Sequence, residues 1–168
     1  MRSRTALVER SSTFDGGGVT LAGGGVERSA RLGEGAAVWA FAGAEVLRWG
    51  VKTRSGFSVA DGRVVAVGNR YWIVARLGPL RIHEPVQVVA VVDEVDQKGF
   101  AYSTLDGHPI RGEEAFVVER RTDDSVWLTI RSLTYPARGL RRAGYPRARL
   151  AQPFYRRRYL RALAETVG

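Results

Sequence analysis

The chain has 168 residues, 45% of them hydrophobic and 26% charged, a globular composition long enough to bury a core and unlike that of a disordered protein. It has no cysteine, which excludes disulfides, thiolate metal sites and cysteine nucleophiles and fits a reducing cytoplasm. The formal charge of +9 is uneven: residues 1–135 hold 17 Lys/Arg against 16 Asp/Glu, whereas residues 136–168 hold nine arginines against Glu165 alone.

Residues 1–25 read as a flexible lead-in, with glycine at 16–18 and again at 23–25. No Gly-Lys-Ser/Thr follows these glycines, so they do not make a phosphate loop. The first residues are basic but lack an apolar h-region, so no secretory signal is expected. No apolar run approaches the roughly 18 to 20 residues of a membrane span. A cytoplasmic location is the expectation.

Val26–Leu32 suggests a short polar-faced strand. From Glu34 to Trp49, Trp39, Ala42, Gly43, Val46 and Trp49 recur at helical spacing, and Gly50 is a plausible stop. Gly43 either permits close packing on a sheet or separates two short helices. The period then changes to two. Strands are predicted over Arg63–Val67, Arg70–Leu77, Val86–Val92, Lys98–Leu105, Glu114–Arg121 and Ser125–Leu133, with short turn sequences between them. Such short links join antiparallel neighbours.

From Tyr145 the helical period returns, with Ala148, Ala151, Tyr155, Tyr159, Ala162 and Leu163 on one stripe and Arg156, Arg157 and Arg161 elsewhere. Either this helix begins near Pro153, where proline suits the first turn, or a longer helix is kinked there. The order predicts an α+β fold, a curved antiparallel sheet of about six to seven strands with a long helix across its concave face.

The most informative stretch runs from Tyr102 to Glu114, a strand end, a tight loop and the next strand's start. The pattern Gly99-Phe100-Ala101-Tyr102-x-Thr104-Leu105-x-Gly107-His108-Pro109-x-x-Gly112-Glu113-Glu114 closely resembles the signature of an uncharacterised bacterial and plant family, domain of unknown function 1990. Trp39, Phe41-Ala42, Leu47-Arg48-Trp49, Ser125-Val126-Trp127 and Gln152 through Tyr159 fit that pattern too, so the resemblance covers about residues 26 to 165. Ser103, where the family usually has glycine, and Thr134-Tyr135-Pro136 depart from it. The family is similar to the helix-grip superfamily of START, polyketide cyclase and Bet v 1-like domains. The resemblance implies a single helix-grip domain over residues 26–168, with a sheet–helix cavity that holds apolar ligands in many relatives. It implies no particular reaction.

The candidate ligand-binding residues are Tyr102, Thr104, His108, Glu113, Glu114, Trp127 and Arg131. His108 is either a general acid or base or a histidine that shapes its turn. Glu113 and Glu114, adjacent on a strand, point to opposite faces, and one of them is expected to pair with a cation. Tyr102, Thr104, Trp127 and Arg131 either line a groove under the helix or pack and solvate as ordinary sheet residues. No metal or cofactor is expected, since only His83 joins His108. The first functional expectation is binding of a small apolar or amphipathic molecule. The alternative is a polyketide cyclase- or dehydratase-like enzyme using His108, Glu113 and Tyr102. Nucleic-acid binding by the arginine-rich C-terminal helix ranks below a solvated helix face.

Overall fold

A computed structural model of the chain describes residues 25–60, 63–108, 110–136 and 145–164. The lead-in expected over residues 1–25 lies outside them, apart from Gly25. The first strand, β1 (Val26–Glu34), is followed by helix α1 (Ala36–Val46) and the short helix α2 (Gly50–Thr53). Six more strands follow: β2 (Phe57–Val59), β3 (Arg70–Leu77), β4 (Leu80–Asp93), β5 (Gln97–Thr104), β6 (Ile110–Arg120) and β7 (Ser125–Pro136). Helix α3 (Tyr145–Arg161) comes last.

The strands form one antiparallel sheet in the order β1-β7-β6-β5-β4-β3-β2. Bulges at Arg31–Gly33 and Val88–Ala90 interrupt the register, and such extra residues bend the strand that carries them. The sheet curls into a half-barrel. Its exposed edge strand β1 carries Glu27, Arg28 and Arg31, charges that discourage pairing with another chain.

Both α1 and α3 lie against the concave face, α1 over β5 and β6 and α3 over β7 and β1. The core between them is built from alternate residues of each strand: Tyr71 and Ile73, Val86 and Val88, Phe100 and Tyr102, Phe116 and Val118, Leu128 and Ile130. A Cβ on Gly43 would meet the Lys98 side chain at 2.7 Å, so this glycine serves close packing on the sheet, and α1 runs through it unbroken.

Two local expectations change. Residues 63–66 form no strand: Val65 N–H donates to Leu47 O, which ties this stretch to the end of α1. The sheet instead gains the three-residue β2, too short to show an alternating pattern. Gly50 starts α2 rather than merely stopping α1, because the chain turns at Trp49 (φ 65, ψ 16), one of two described non-glycine residues with left-handed backbone. α3 spans Tyr145–Arg161 with Pro153 inside it, so the helix does not begin near Pro153 but has the longer extent; the side chains of Ala148 and Ala151 lie outside the described residues. Of the expected stripe, Tyr159 on the helix and Ala162 and Leu163 in the turn just past its end are buried.

Candidate functional site

The register of three neighbouring strands places Tyr102, Glu114 and Ser132 in one row across the concave face. The next row, Phe100, Phe116 and Ile130, is apolar and buried. Onto this polar row α2 delivers Lys52 and α3 delivers Tyr159. Lys52 Nζ lies 2.8 Å from Glu114 Oε2 and donates to Tyr159 Oη at 2.8 Å. Tyr102 Oη donates to the same carboxylate at 2.5 Å, and Ser132 Oγ reaches its other oxygen at 3.3 Å. Four rings surround the ammonium, with centroids at 4.6 Å (Tyr159), 4.9 Å (Phe57), 5.4 Å (Tyr102) and 5.7 Å (Phe116).

Lys52 is only 4% exposed. Burial by itself disfavours its charge, but Glu114, with Tyr102, Tyr159 and Glu84, overrides that and holds the ammonium well above its usual range. Burial likewise pushes Glu114 up, and the Lys52 charge and the hydrogen bonds from Lys52, Tyr102 and Ser132 bring it below its ordinary value. Burial and the Glu114 charge raise Tyr102, and burial raises Tyr159 against the pull of Lys52. The site therefore holds a fixed ammonium–carboxylate pair and two neutral phenols. A lysine held protonated is no nucleophile.

Besides the ammonium's own, two donors in or next to this polar row are uncommitted. Among the described residues, the hydrogen bond from Lys52 is the only one at Tyr159 Oη, which leaves the phenol's own proton free to donate. Trp49, 1% exposed, has no partner for its Nε1–H among the described residues. Its ring lies 4.6 Å from Phe100, 5.1 Å from Tyr71 and 5.5 Å from Tyr102, in the same aromatic cluster. An unpaired buried donor and a left-handed backbone each cost free energy, and here they coincide in one residue.

The sequence-predicted residues separate into two groups. Tyr102 and Glu114 lie in the polar row, and Thr104 stands beside it, its Oγ1 accepting from Gly112 N at 3.0 Å. A Cβ on Gly112 would sit 1.9 Å from Leu133 O, which explains why the motif has glycine there. His108 closes the turn: its Nδ1 accepts from Ile110 N at 3.0 Å, and its Nε2 is 3.7 Å from Glu84. Glu113 pairs in register with Ser103 and Leu133, on the opposite face from Glu114, and burial raises its carboxyl.

Trp127 and Arg131 also lie on that opposite face, contrary to the expected shared groove wall, because they alternate with the buried Val126, Leu128 and Ile130. Trp127 donates to Ser125 Oγ at 2.9 Å under the Arg121 guanidinium, and Arg131 pairs with Glu27 at 2.5 Å. Tyr102, His108 and Glu113 thus do not converge on one point. Lys52 and Tyr159 were not among the expected site residues. The available signal for Lys52 was rarity: the chain has 24 arginines and two lysines, Lys52 and Lys98. Arg156 on α3 is half-buried rather than fully solvated, and burial lowers its guanidinium against the opposing Glu114 charge.

A curled seven-stranded antiparallel sheet closed by a C-terminal helix over a polar row in an aromatic core defines a helix-grip, Bet v 1-like protein. Residues 25–162 match the model of the family described as domain of unknown function (DUF1990), and the chain belongs to that family. It is 38% identical over 82 residues to a UPF0548 protein of Deinococcus radiodurans, covering 49% of this chain and 41% of that one. A UPF0548 protein of Arabidopsis thaliana is 34% identical over 110 residues, 62% of this chain and 54% of its own length. The chain thus spans about half the length of the curated relatives it matches.

Among solved structures, a hypothetical protein of Helicobacter pylori superimposes with a TM-score of 0.59 at 11% identity, over 83% of this chain and 84% of that one. Norcoclaurine synthase of Thalictrum flavum, in complex with dopamine and hydroxybenzaldehyde, gives 0.54 at 13% identity over 86% of each chain. Among the described residues no helix is long and apolar enough to cross a membrane, and no three His, Cys, Asp or Glu residues group as metal ligands.

Proposed function

We infer that the protein binds a small amphipathic molecule between the concave face and α3, its apolar body among the aromatic side chains and its polar end at Tyr159, Lys52 and Trp49. The observation that carries this reading is the pair of uncommitted buried donors, Tyr159 Oη–H on the Lys52–Glu114 ion pair and Trp49 Nε1–H in the aromatic cluster that includes Tyr102. Two donors with no acceptor of their own suit a ligand that supplies oxygen acceptors, and apolar walls with a few fixed polar groups are the usual make-up of such sites. The helix-grip fold of norcoclaurine synthase, which holds two small aromatic molecules, supports the same reading at the level of fold.

The test uses 8-anilinonaphthalene-1-sulfonate, an aromatic body with an anionic oxygen end. Native mass spectrometry is expected to show a saturable one-to-one adduct, with a raised melting temperature. Tyr159→Phe and Trp49→Phe are each expected to weaken it by about two- to tenfold, the worth of one hydrogen bond. Absence of a one-to-one adduct, or equal affinity in both variants, rejects the reading.

A further inference from the structure

The convex face of the β3–β4 hairpin has the opposite character to the concave site. Its register brings Arg76 opposite Arg81, Val74 opposite His83, Trp72 opposite Pro85 and Arg70 opposite Gln87. These residues share one face, because Tyr71, Ile73 and Ala75 between them are buried in the core. Arg70, Arg76 and Arg81 are exposed, and among the described residues none of their side chains makes a hydrogen bond or an ion pair. Like charges directly opposite on neighbouring strands repel. Among the described residues no carboxylate stands against the facing Arg76–Arg81 pair, so an anion bound there would relieve that repulsion.

Between the arginines stands Trp72, 54% exposed, with the His83 ring T-shaped to it at 6.1 Å between centroids. A tryptophan that exposed in the middle of a strand is unusual, and a little over half of its surface is open to a stacking partner. From Arg70 to Arg76 the strip runs about 20 Å at roughly 3.3 Å per residue. Cations at both ends of an exposed ring match a strand of phosphates with a base stacked between them. A membrane surface fits less well: Leu80, the hairpin's other exposed apolar residue, lies in register with Leu77 off this face, so one ring would have to anchor the hairpin.

We propose that the convex face of the β3–β4 hairpin is a binding surface for single-stranded nucleic acid, with Arg70, Arg76 and Arg81 contacting phosphates and Trp72 stacking on a base. The proposal is independent of the concave-face ligand. It also puts nucleic-acid binding on a different element from the C-terminal helix. The chain's net charge of +9 would add long-range attraction to any such strand.

Fluorescence anisotropy with a short labelled oligothymidylate and oligouridylate tests it. Binding is expected to weaken with salt at a log–log slope of about −2, the value for three phosphate contacts on a single strand. The Arg76→Ser/Arg81→Ser variant is expected to bring the slope to about −0.7. Trp72→Ala is expected to weaken binding about tenfold, and Trp72→Phe much less. All are exposed positions, so every variant should still fold, with melting temperatures within a few degrees of the parent. Three results each overturn the proposal: no binding to either oligonucleotide, binding untouched by the hairpin variants but abolished by Arg157→Ser/Arg158→Ser on α3, or hairpin-dependent binding to phosphatidylserine vesicles but not to oligonucleotide.

Discussion

The two faces of the sheet treat positive charge in opposite ways. On the concave face one ammonium is almost completely buried and has a carboxylate and a phenol at 2.8 Å and four aromatic rings around it. On the convex face of β3–β4 three guanidinium groups stand in solvent with no partner among the described residues. Burial accounts for the difference. An ion inside a protein must be paired or it destabilises the fold by several kcal/mol, whereas water supports an exposed one at almost no cost. Pairing inside therefore reports a structural necessity, and only what is left unpaired there points to a ligand. Outside, unpaired charge becomes informative when it is concentrated against its own repulsion, as at Arg76 and Arg81.

The largest expected effect breaks the inner pair. Glu114→Ala leaves Lys52 buried without its counter-ion and is expected to cost about 3–5 kcal/mol in urea unfolding. Replacing the network as a unit, with Lys52→Met, Glu114→Leu and Tyr102→Phe, should restore most of that stability, because no unpaired group then stays buried. If the triple variant is no more stable than Glu114→Ala, the pair does more than neutralise itself.

Next in size is the dependence on pH. Glu114 is held below its ordinary value, so its contribution is present above the usual carboxylate range and lost as pH falls from about 4.3 through its lower folded value. Lys52, Tyr102 and Tyr159 are raised, so theirs is complete below about 10 and lost as pH rises through the folded values. Melting temperature should therefore fall at both ends, and the acid limb should flatten in the triple variant.

On the convex face the effects are small. Arg81→Glu, which puts a carboxylate opposite Arg76, should stabilise by about 0.2–1 kcal/mol. Glu113→Gln removes a carboxylate that burial raises, so it should raise the melting temperature slightly near pH 7, and the gain should vanish below about pH 4. A loss of several kcal/mol from either variant would mean that the two faces do not differ as described.

Much of this architecture was legible. Alternation marked β3, β5, β6 and β7 because each has one buried face, and the turns between them are short. β2 escaped because three residues carry no period, and Arg63–Val67 misled because it is rich in valine (Val64, Val65 and Val67) yet forms no strand. Within the site, strand parity separated Glu114 from Glu113, the face on which each lies being fixed by the pleat. Parity gave no sign which face is concave, so Trp127 and Arg131 were grouped with Tyr102 although they alternate with Leu128 and Ile130. Lys52 was out of reach for another reason. It arrives from a four-residue helix after a left-handed turn, and its partner lies 62 residues further along, a contact no local pattern encodes.

The pairing of β1 with β7 has a consequence for how the chain folds during synthesis. Val26 lies opposite Ser132, and Glu34 opposite Ser125, so the first strand hydrogen-bonds to the last one made. The hairpins from β3 to β7 can form in the order they leave the ribosome. β1 has to wait until β7 follows, and α3, which packs on both, waits longer still. Such distant contacts slow folding, because the entropy of closing a long loop is lost before the contact forms. Until then the part of the concave face that α3 covers stands open, and it is over this interval that the nascent chain would most need a chaperone.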